Sequence, residues 1–541
     1  MEPRSPGERH HLIPRTSGEV EVVSTEKLSI LPEHEGLFLF ANGVDAETGD
    51  AVLPALTPAE AVGLARQQQV DSNFIRFLRR RHRRIERELR DPRRAPAQWV
   101  DPLDLAKSGW AVVFAQDDPD TRKILRELAP LLRWREAQAG RIRGRRFRKL
   151  YGEEGIRRRD TLETFLSRHE VGINNPDPDR LPYYLLLVGS PERIPYPLQY
   201  QLDVQYAVGR LHFDDIKDYG RYAESVVAAE RDGVALPAQV TFFGASRPGD
   251  QATQLSTREL VQPLAGRLRS SVAASWQVRE ILREGASKDQ LRQLLGGAET
   301  PALLFTASHG MVYKAEHPKQ KTHQGALLCS DWRGKPQKLT SEHYFAGEDL
   351  TGDESALHGL IAFHFACYGA GTPKGDSFAH LAGPAPEESF VSGLAKRLLN
   401  HPQGGALAVI GHVDRTWNTA FSWLGEARDR PVYESVLRAL LAGHPVGSAM
   451  EFLNARHGQM ATSLTTYLDP FGPYAGQLDA NDLALLWLAH NDARNFVVVG
   501  DPAVRLGGGH LPVSTRSLDD VAGEVALTRE EEELGPPEEG E

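Results

Sequence analysis

Seven short apolar runs punctuate the 541-residue chain, and most of them reach a glycine within a few residues. They are Trp110–Ala115, Tyr183–Val188, Gln239–Phe243, Leu303–Ala307, Leu360–Ala366, Gly405–Ile410 and Asn495–Val499. Each is too short for a helix and too uniformly apolar for a strand with one wet face, so each reads as a buried strand. Stretches of helical periodicity lie between them, at 121–132, 219–230, 259–268, 288–295, 389–399, 431–442 and 446–457. Strand and helix in alternation predict an α/β fold: a mostly parallel sheet covered on both faces.

Two of these runs end in reactive side chains. Leu360–Ala366 stops at Cys367, and a glycine-rich turn follows through Gly369, Gly371, Pro373 and Gly375. Leu303–Ala307 ends in Ser308-His309-Gly310, 58 positions upstream of the cysteine (367 − 309). Ligands of open α/β sheets bind at the C-terminal ends of strands. A thiol and an imidazole delivered to one such edge can form a thiolate–imidazolium pair. The structural alternative for Cys367 is a small buried hydrophobe, which is the reading given to the other cysteine, Cys329 in A-L-L-C-S.

The net charge of −10 disfavours general affinity for nucleic acid, and no window approaches the length of a membrane span. With two cysteines there is no disulfide framework, and the polar start Met1-Glu2-Pro3-Arg4 lacks the apolar core of a signal peptide. A cytoplasmic protein is expected. Residues 59–90 read as a helix with one cationic face, either a docking surface or a solvated face. Gly140–Lys149, dense in arginine, reads as an exposed linker open to proteolysis.

From about Leu181 to Leu506 the chain resembles the gingipain-like, caspase-like cysteine peptidases. The resemblance rests on Y-L-L-L-V-G-S-P-E-R-I-P at 184–195, Val208-Gly209-Arg210, His309-Gly310, A-C-Y-G-A-G at 366–371 and V-G-D-P-A-V-R-L at 499–506, in that order. Phe365 stands where true caspases carry Gln ahead of Ala-Cys. The resemblance implies a caspase-like three-layer sandwich in two α/β subdomains. It implies a bacterial, intracellular endopeptidase with a His309–Cys367 dyad, an oxyanion site of the Gly310 and Cys367 N–H groups, and no cofactor. Its substrates would be proteins, and an upstream protease could activate it in a signalling or antiviral defence cascade.

Gingipains also suggest an acidic residue for the substrate pocket in the loop after the strand preceding the histidine strand. Here that loop offers Ser246 and Asp250, and Asp414 after the next strand is a further candidate. Either carboxylate would favour cleavage after Arg or Lys, whereas Arg415 would suit an acidic residue. His364 and His412 also fall near strand ends, but their spacing matches no zinc pattern, and no metal is expected. The expected division is an extension at 1–95, an α/β subdomain at 96–235 with the arginine-rich linker, a catalytic subdomain at 236–508 and a disordered acidic tail at 509–541. Two other functions remain compatible with these residues: a silent scaffold of the same fold, and a partner-docking protein working through the cationic helix.

Overall fold

A computed structural model of the chain describes residues 39, 43–45, 49, 55–57 and 100–507, apart from 143, 174–175, 273–274, 353–355, 376–386, 422–429 and 469–477. The helix read at 59–90 and the tail at 509–541 lie outside the described residues. The strands in chain order are β1 (Gly43–Asp45), β2 (Trp110–Phe114), β3 (Phe147–Leu150), β4 (Tyr184–Val188), β5 (Ala207–Leu211), β6 (Gln239–Gly244), β7 (Gln277–Leu282) and β8 (Leu303–Ala307). They continue with β9 (Gly310–Val312), β10 (Leu327–Leu328), β11 (Tyr344–Phe345), β12 (Ile361–Phe365), β13 (Gly371–Thr372), β14 (Phe390–Val391), β15 (Ala408–His412) and β16 (Phe496–Gly500).

Ten strands form one sheet in the order β3-β2-β4-β5-β16-β15-β12-β8-β6-β7. The pairings are mostly parallel, and β16 runs antiparallel to β15, with Phe496 opposite His412. Every residue of β2, β4, β5, β8, β12, β15 and β16 is buried, which is why all of these but β5, where Arg210 interrupts A-V-G-R-L, appear in the sequence as apolar runs. The sheet continues across residue 235, where the sequence suggested a division between subdomains.

Side chains alternate between two cores. On one face Trp110, Val112, Leu186 and Val188 pack with Leu131, Tyr222 and Val226 of helices α1 (Ala129–Ala139) and α2 (Lys217–Asp232). On the other face Ala111, Val113, Leu185 and Leu187 pack with Phe165, Leu198 and Leu202. The result is helix–sheet–helix, three layers. Under the strand ends of interest, Phe242, Phe305 and Phe363 lie in register on β6, β8 and β12, with ring centroids 5.4 and 4.9 Å apart. Burying each ring contributes about 1.5–3 kcal/mol, and the row holds β8 and β12 at a fixed spacing.

Two further strands escape the apolar-run criterion, these because they lie at the sheet's edges. β3 is F-R-K-L and β7 is Q-V-R-E-I-L. The arginine-rich segment is therefore in part a strand and not a free linker: Phe147–Leu150 pairs with Trp110–Val113, and Arg146 and Arg148 pair with Asp179 and Glu154. Charged side chains of this kind are common on edge strands. Among the described residues no helix is long and apolar enough to cross a membrane.

Candidate active site

β8 and β12 are neighbours in parallel register from Ile361↔Leu303 to Phe365↔Ala307, so the chain leaves both strands at the same edge. Beyond them the Ser308 N–H donates to Phe365 O at 3.2 Å. Gly310 then lies directly against Cys367, where a Cβ on Gly310 would collide with the Cys367 carbonyl. No other residue fits, and this contact brings the His-Gly peptide to the cysteine. Tyr368, next in the chain, holds φ 59°, a left-handed conformation that costs about 1–2 kcal/mol in a non-glycine residue. Its N–H donates to Asp414 O at 3.0 Å, which secures the turn.

His309 is buried, and its Nε2 lies 2.8 Å from Asp250 Oδ2. Asp250 is the N-cap of α3 (Gln251–Leu255), accepting from the Thr253 N–H, and it also lies 3.6 Å from the Arg247 guanidinium. Burial would raise the Asp250 pKa, but the His309 ring and Arg247 outweigh it and hold the carboxyl at about 2. An anion on Nε2 fixes the proton there. His309 Nδ1 is left buried without a hydrogen-bond partner, the one ring atom available to exchange a proton.

The Cys367 thiol is fully buried. Burial pushes its pKa up to about 12, opposed by the Thr416 N–H and by Arg415. The Thr416 N–H donates to Sγ at 3.4 Å. Thr416 Oγ1 and the Trp417 N–H both donate to Asp492 Oδ1, at 3.1 and 3.0 Å. In this state the thiol is neutral and turned onto the loop after β15.

Most of the residues expected from the sequence gather here. His309, Gly310 and Cys367 meet at the edge shared by β8 and β12. Ser246 and Asp250 line a small cavity beside His309, together with Arg247, Cys329 and Trp332. Asp250 is held by His309 and Arg247 and does not stand open to a substrate side chain. Asp414 flanks the cysteine turn, and its Oδ1 accepts from the Arg415 N–H at 2.7 Å. His364 points away from its phenylalanine neighbours and meets Thr306 Oγ1 at 2.9 Å through Nδ1. Arg247, Thr416 and Asp492 were missed. Asp492 had one visible trace: a polar His490-Asn491-Asp492 step ending the apolar run Leu485–Ala489.

A second feature faces the same site. The His309 carbonyl accepts from the Leu328 N–H of β10, and the Met311 N–H donates to Ala326 O. In a trans peptide the Gly310 N–H points opposite the His309 carbonyl. It therefore faces β1, which runs parallel to β9 with Gly43 beside Gly310. Gly49 packs onto the Trp332 ring at the cavity wall.

No family model matches the chain, and no curated protein matches it. Among solved structures the chain is similar to the Arg-specific cysteine proteinase gingipain R (RgpB), at 15% identity over 76% of this chain and 80% of that one, TM-score 0.42. It is similar to a structure described only as a protease, at 12% identity over 74% and 80%, TM-score 0.43. It is also similar to a complex of the Porphyromonas gingivalis RgpB pro- and mature domains, at 14% identity over 74% and 80%, TM-score 0.41.

Proposed function

We propose that the chain is a cysteine endopeptidase with Cys367 as nucleophile and His309 as its acid–base partner. One observation carries the reading: His309, oriented by Asp250, leaves the end of β8 against the cysteine at the end of β12, with one ring nitrogen unengaged. In the reaction Cys367 passes its thiol proton to His309 Nδ1 as Sγ attacks the scissile carbonyl, and the amine leaves with that proton. Water then adds to the thioester, with His309 as base, and the acid is released. The N–H groups of Gly310 and Cys367 are the donors for the oxyanion.

The buried thiol and the Gly310 N–H turned towards β1 support a reading of this chain as a restrained enzyme. In this reading a cut between Asp45 and Val100 separates β1 from the body and frees that donor. The paired strand β3 makes a cut at Gly140–Lys149 the less accessible route. The setting that fits is a cytoplasmic bacterial signalling or defence cascade, because an unrestrained protease harms its own cell. As for the residue before the cut, we keep Arg or Lys, with Asp250 or Asp414 as the carboxylate it would meet; Asp250 is held by His309 and Arg247, and Asp414 lies 3.6 Å from the Arg415 guanidinium. A peptide panel with Arg, Lys, Asp or Glu at that position reads the choice. Preference for Asp or Glu would overturn the basic assignment.

The full burial of Cys367 favours a second reading, a scaffold that keeps the fold without chemistry. Incubation with a denatured protein pool, before and after limited proteolysis, separates the two. New termini are expected from the parent and from Cys329→Ala, and none from Cys367→Ala or His309→Ala. Cleavage that survives Cys367→Ala, or is lost in Cys329→Ala, would transfer the role to Cys329, which shares the His309 cavity.

A further inference from the structure

The Cys367 sulfur is held by one loop peptide. Thr416 presents two groups of opposite sign to the sulfur, its N–H at 3.4 Å and its carbonyl oxygen at 3.9 Å. A small rotation of that backbone would replace a donor by an acceptor at the place where the thiolate charge forms. The rotation is opposed from below. Thr416 Oγ1 and the Trp417 N–H converge on one oxygen of Asp492, and that carboxylate is fully buried.

The fold explains how a residue 125 positions beyond Cys367 (492 − 367) arrives there. Asp492 lies in the last turn of α4 (Ala480–Arg494), just ahead of β16. Because β16 runs antiparallel to β15, its first residue lies beside His412 at the strand end from which the 413–417 loop departs. The Val413 N–H closes onto Asn495 O at 2.9 Å.

We propose that Asp492 is a positioning residue for the nucleophile: it fixes the Thr416 peptide so that its N–H, and not its carbonyl, faces the Cys367 thiolate. This rests on Cys367 being the nucleophile proposed above. A donor to a buried anion is worth more than one in water, and its loss leaves the charge without compensation. The charge of Asp492 works against the thiolate, as does that of Asp414, while Arg415 works for it. The benefit of Asp492 must therefore be geometric, which separates two variants. Asp492→Asn keeps the accepting Oδ1 and removes the charge. Asp492→Ala removes both.

The test follows iodoacetamide alkylation of Cys367 by mass spectrometry in the full chain carrying Cys329→Ser, between about pH 6 and pH 11, alongside thermal midpoints. Asp492→Asn is expected to react within about twofold of the parent, with the thiol pKa unchanged or lower. Asp492→Ala is expected to react roughly tenfold more slowly throughout this range, which lies below the thiol pKa, the size one hydrogen bond to a charged group supports. Thr416→Val, which removes only the hydroxyl link, should move the same way by less. If Asp492→Ala does not fold, Thr416→Val against Asp492→Asn decides. A parental profile in Asp492→Ala, or in Thr416→Val when it stands alone, would overturn the proposal, as would Asp492→Asn behaving like Asp492→Ala. Alkylation reads the thiol whether or not peptides are cut. An Asp492-dependent thiol without cleavage therefore sinks the protease reading and keeps this one, and the converse result does the reverse.

Discussion

Two buried charged clusters in this molecule are built to opposite rules. The first ties the C-terminal segment to the first helices. Arg135 donates through Nε to Asp501 at 2.7 Å and through its two terminal nitrogens to Glu230 at 2.7 and 2.6 Å. Trp110 and Trp134 supply indole donors to Asp501 and Glu230, at 2.9 and 2.8 Å. Despite burial, these partners hold the Arg135 pKa above and the Glu230 pKa below their ordinary values. The second cluster gathers about the ends of β8 and β12. It leaves His309 Nδ1, Arg247 Nε and His364 Nε2 buried and without hydrogen bonds. Burial of charge alone therefore does not mark a working site. A saturated network is a clamp, and one with unspent donors and acceptors has capacity left for a substrate.

The comparison breaks most visibly at Arg135. Arg135→Ala leaves Glu230 and Asp501 buried without their cation, and a loss of about 3–5 kcal/mol in denaturant unfolding is expected. The alkylation profile of Cys367 should not change in whatever fraction stays folded. A shifted thiol titration at unchanged stability would show that the clamp belongs to the site, and the contrast would fail.

Asp250→Asn sharpens the other side. An amide in place of the carboxylate no longer fixes the proton on His309 Nε2. Cleavage should fall by about 10²- to 10⁴-fold with little change in fold. The same residue has a pH signature. Its folded pKa, about 2, lies below the ordinary value of 3.8, so its stabilisation is present above pH 4 and is lost as pH falls through 2. The expected size is roughly 2–3 kcal/mol. Unfolding followed between about pH 5 and pH 2 should be flatter in Asp250→Asn than in the parent. Identical slopes would mean that the His309 contact carries no energy.

These residues differ in how far the sequence disclosed them. β8 and β12 were legible because strands buried on both faces cannot hide their composition, and the residues that end them, His309-Gly310 and Cys367, could be read directly. Asp250 was placed in the correct loop, but its partner was not, since whether it faces a substrate or His309 depends on the start of α3. Thr416 left no trace in the sequence, and Asp492 left only the polar step that ends Leu485–Ala489. Their contact arises from the antiparallel return of β16, a pairing that no local periodicity encodes. β1 is three residues long, and β3 is written in arginines, so neither carries an apolar signal.

The smallest expected effect compares the two thiols. Burial raises both, Cys367 to about 12 and Cys329 well above its ordinary value. An unfolded cysteine ionises near 8.5. With the folded pKa the higher of the two, each thiol stabilises the protein fully below about pH 8.5, and the contribution is lost as pH rises towards the folded pKa. By about pH 10 Cys367 should have given up roughly 2 kcal/mol, and Cys329 should change in the same direction. In the intact chain Cys367→Ala should flatten the alkaline limb of an unfolding-versus-pH curve by that amount, and Cys329→Ala should flatten it as well. Release of β1 should then divide them. Cys329 keeps its limb, because it is a core residue, whereas Cys367 loses part of its own if opening lets water or an oxyanion donor reach the sulfur. Equal limbs before and after release would mean that Cys367 is buried in the manner of Cys329, and the distinction between clamp and site would no longer hold at the proposed nucleophile.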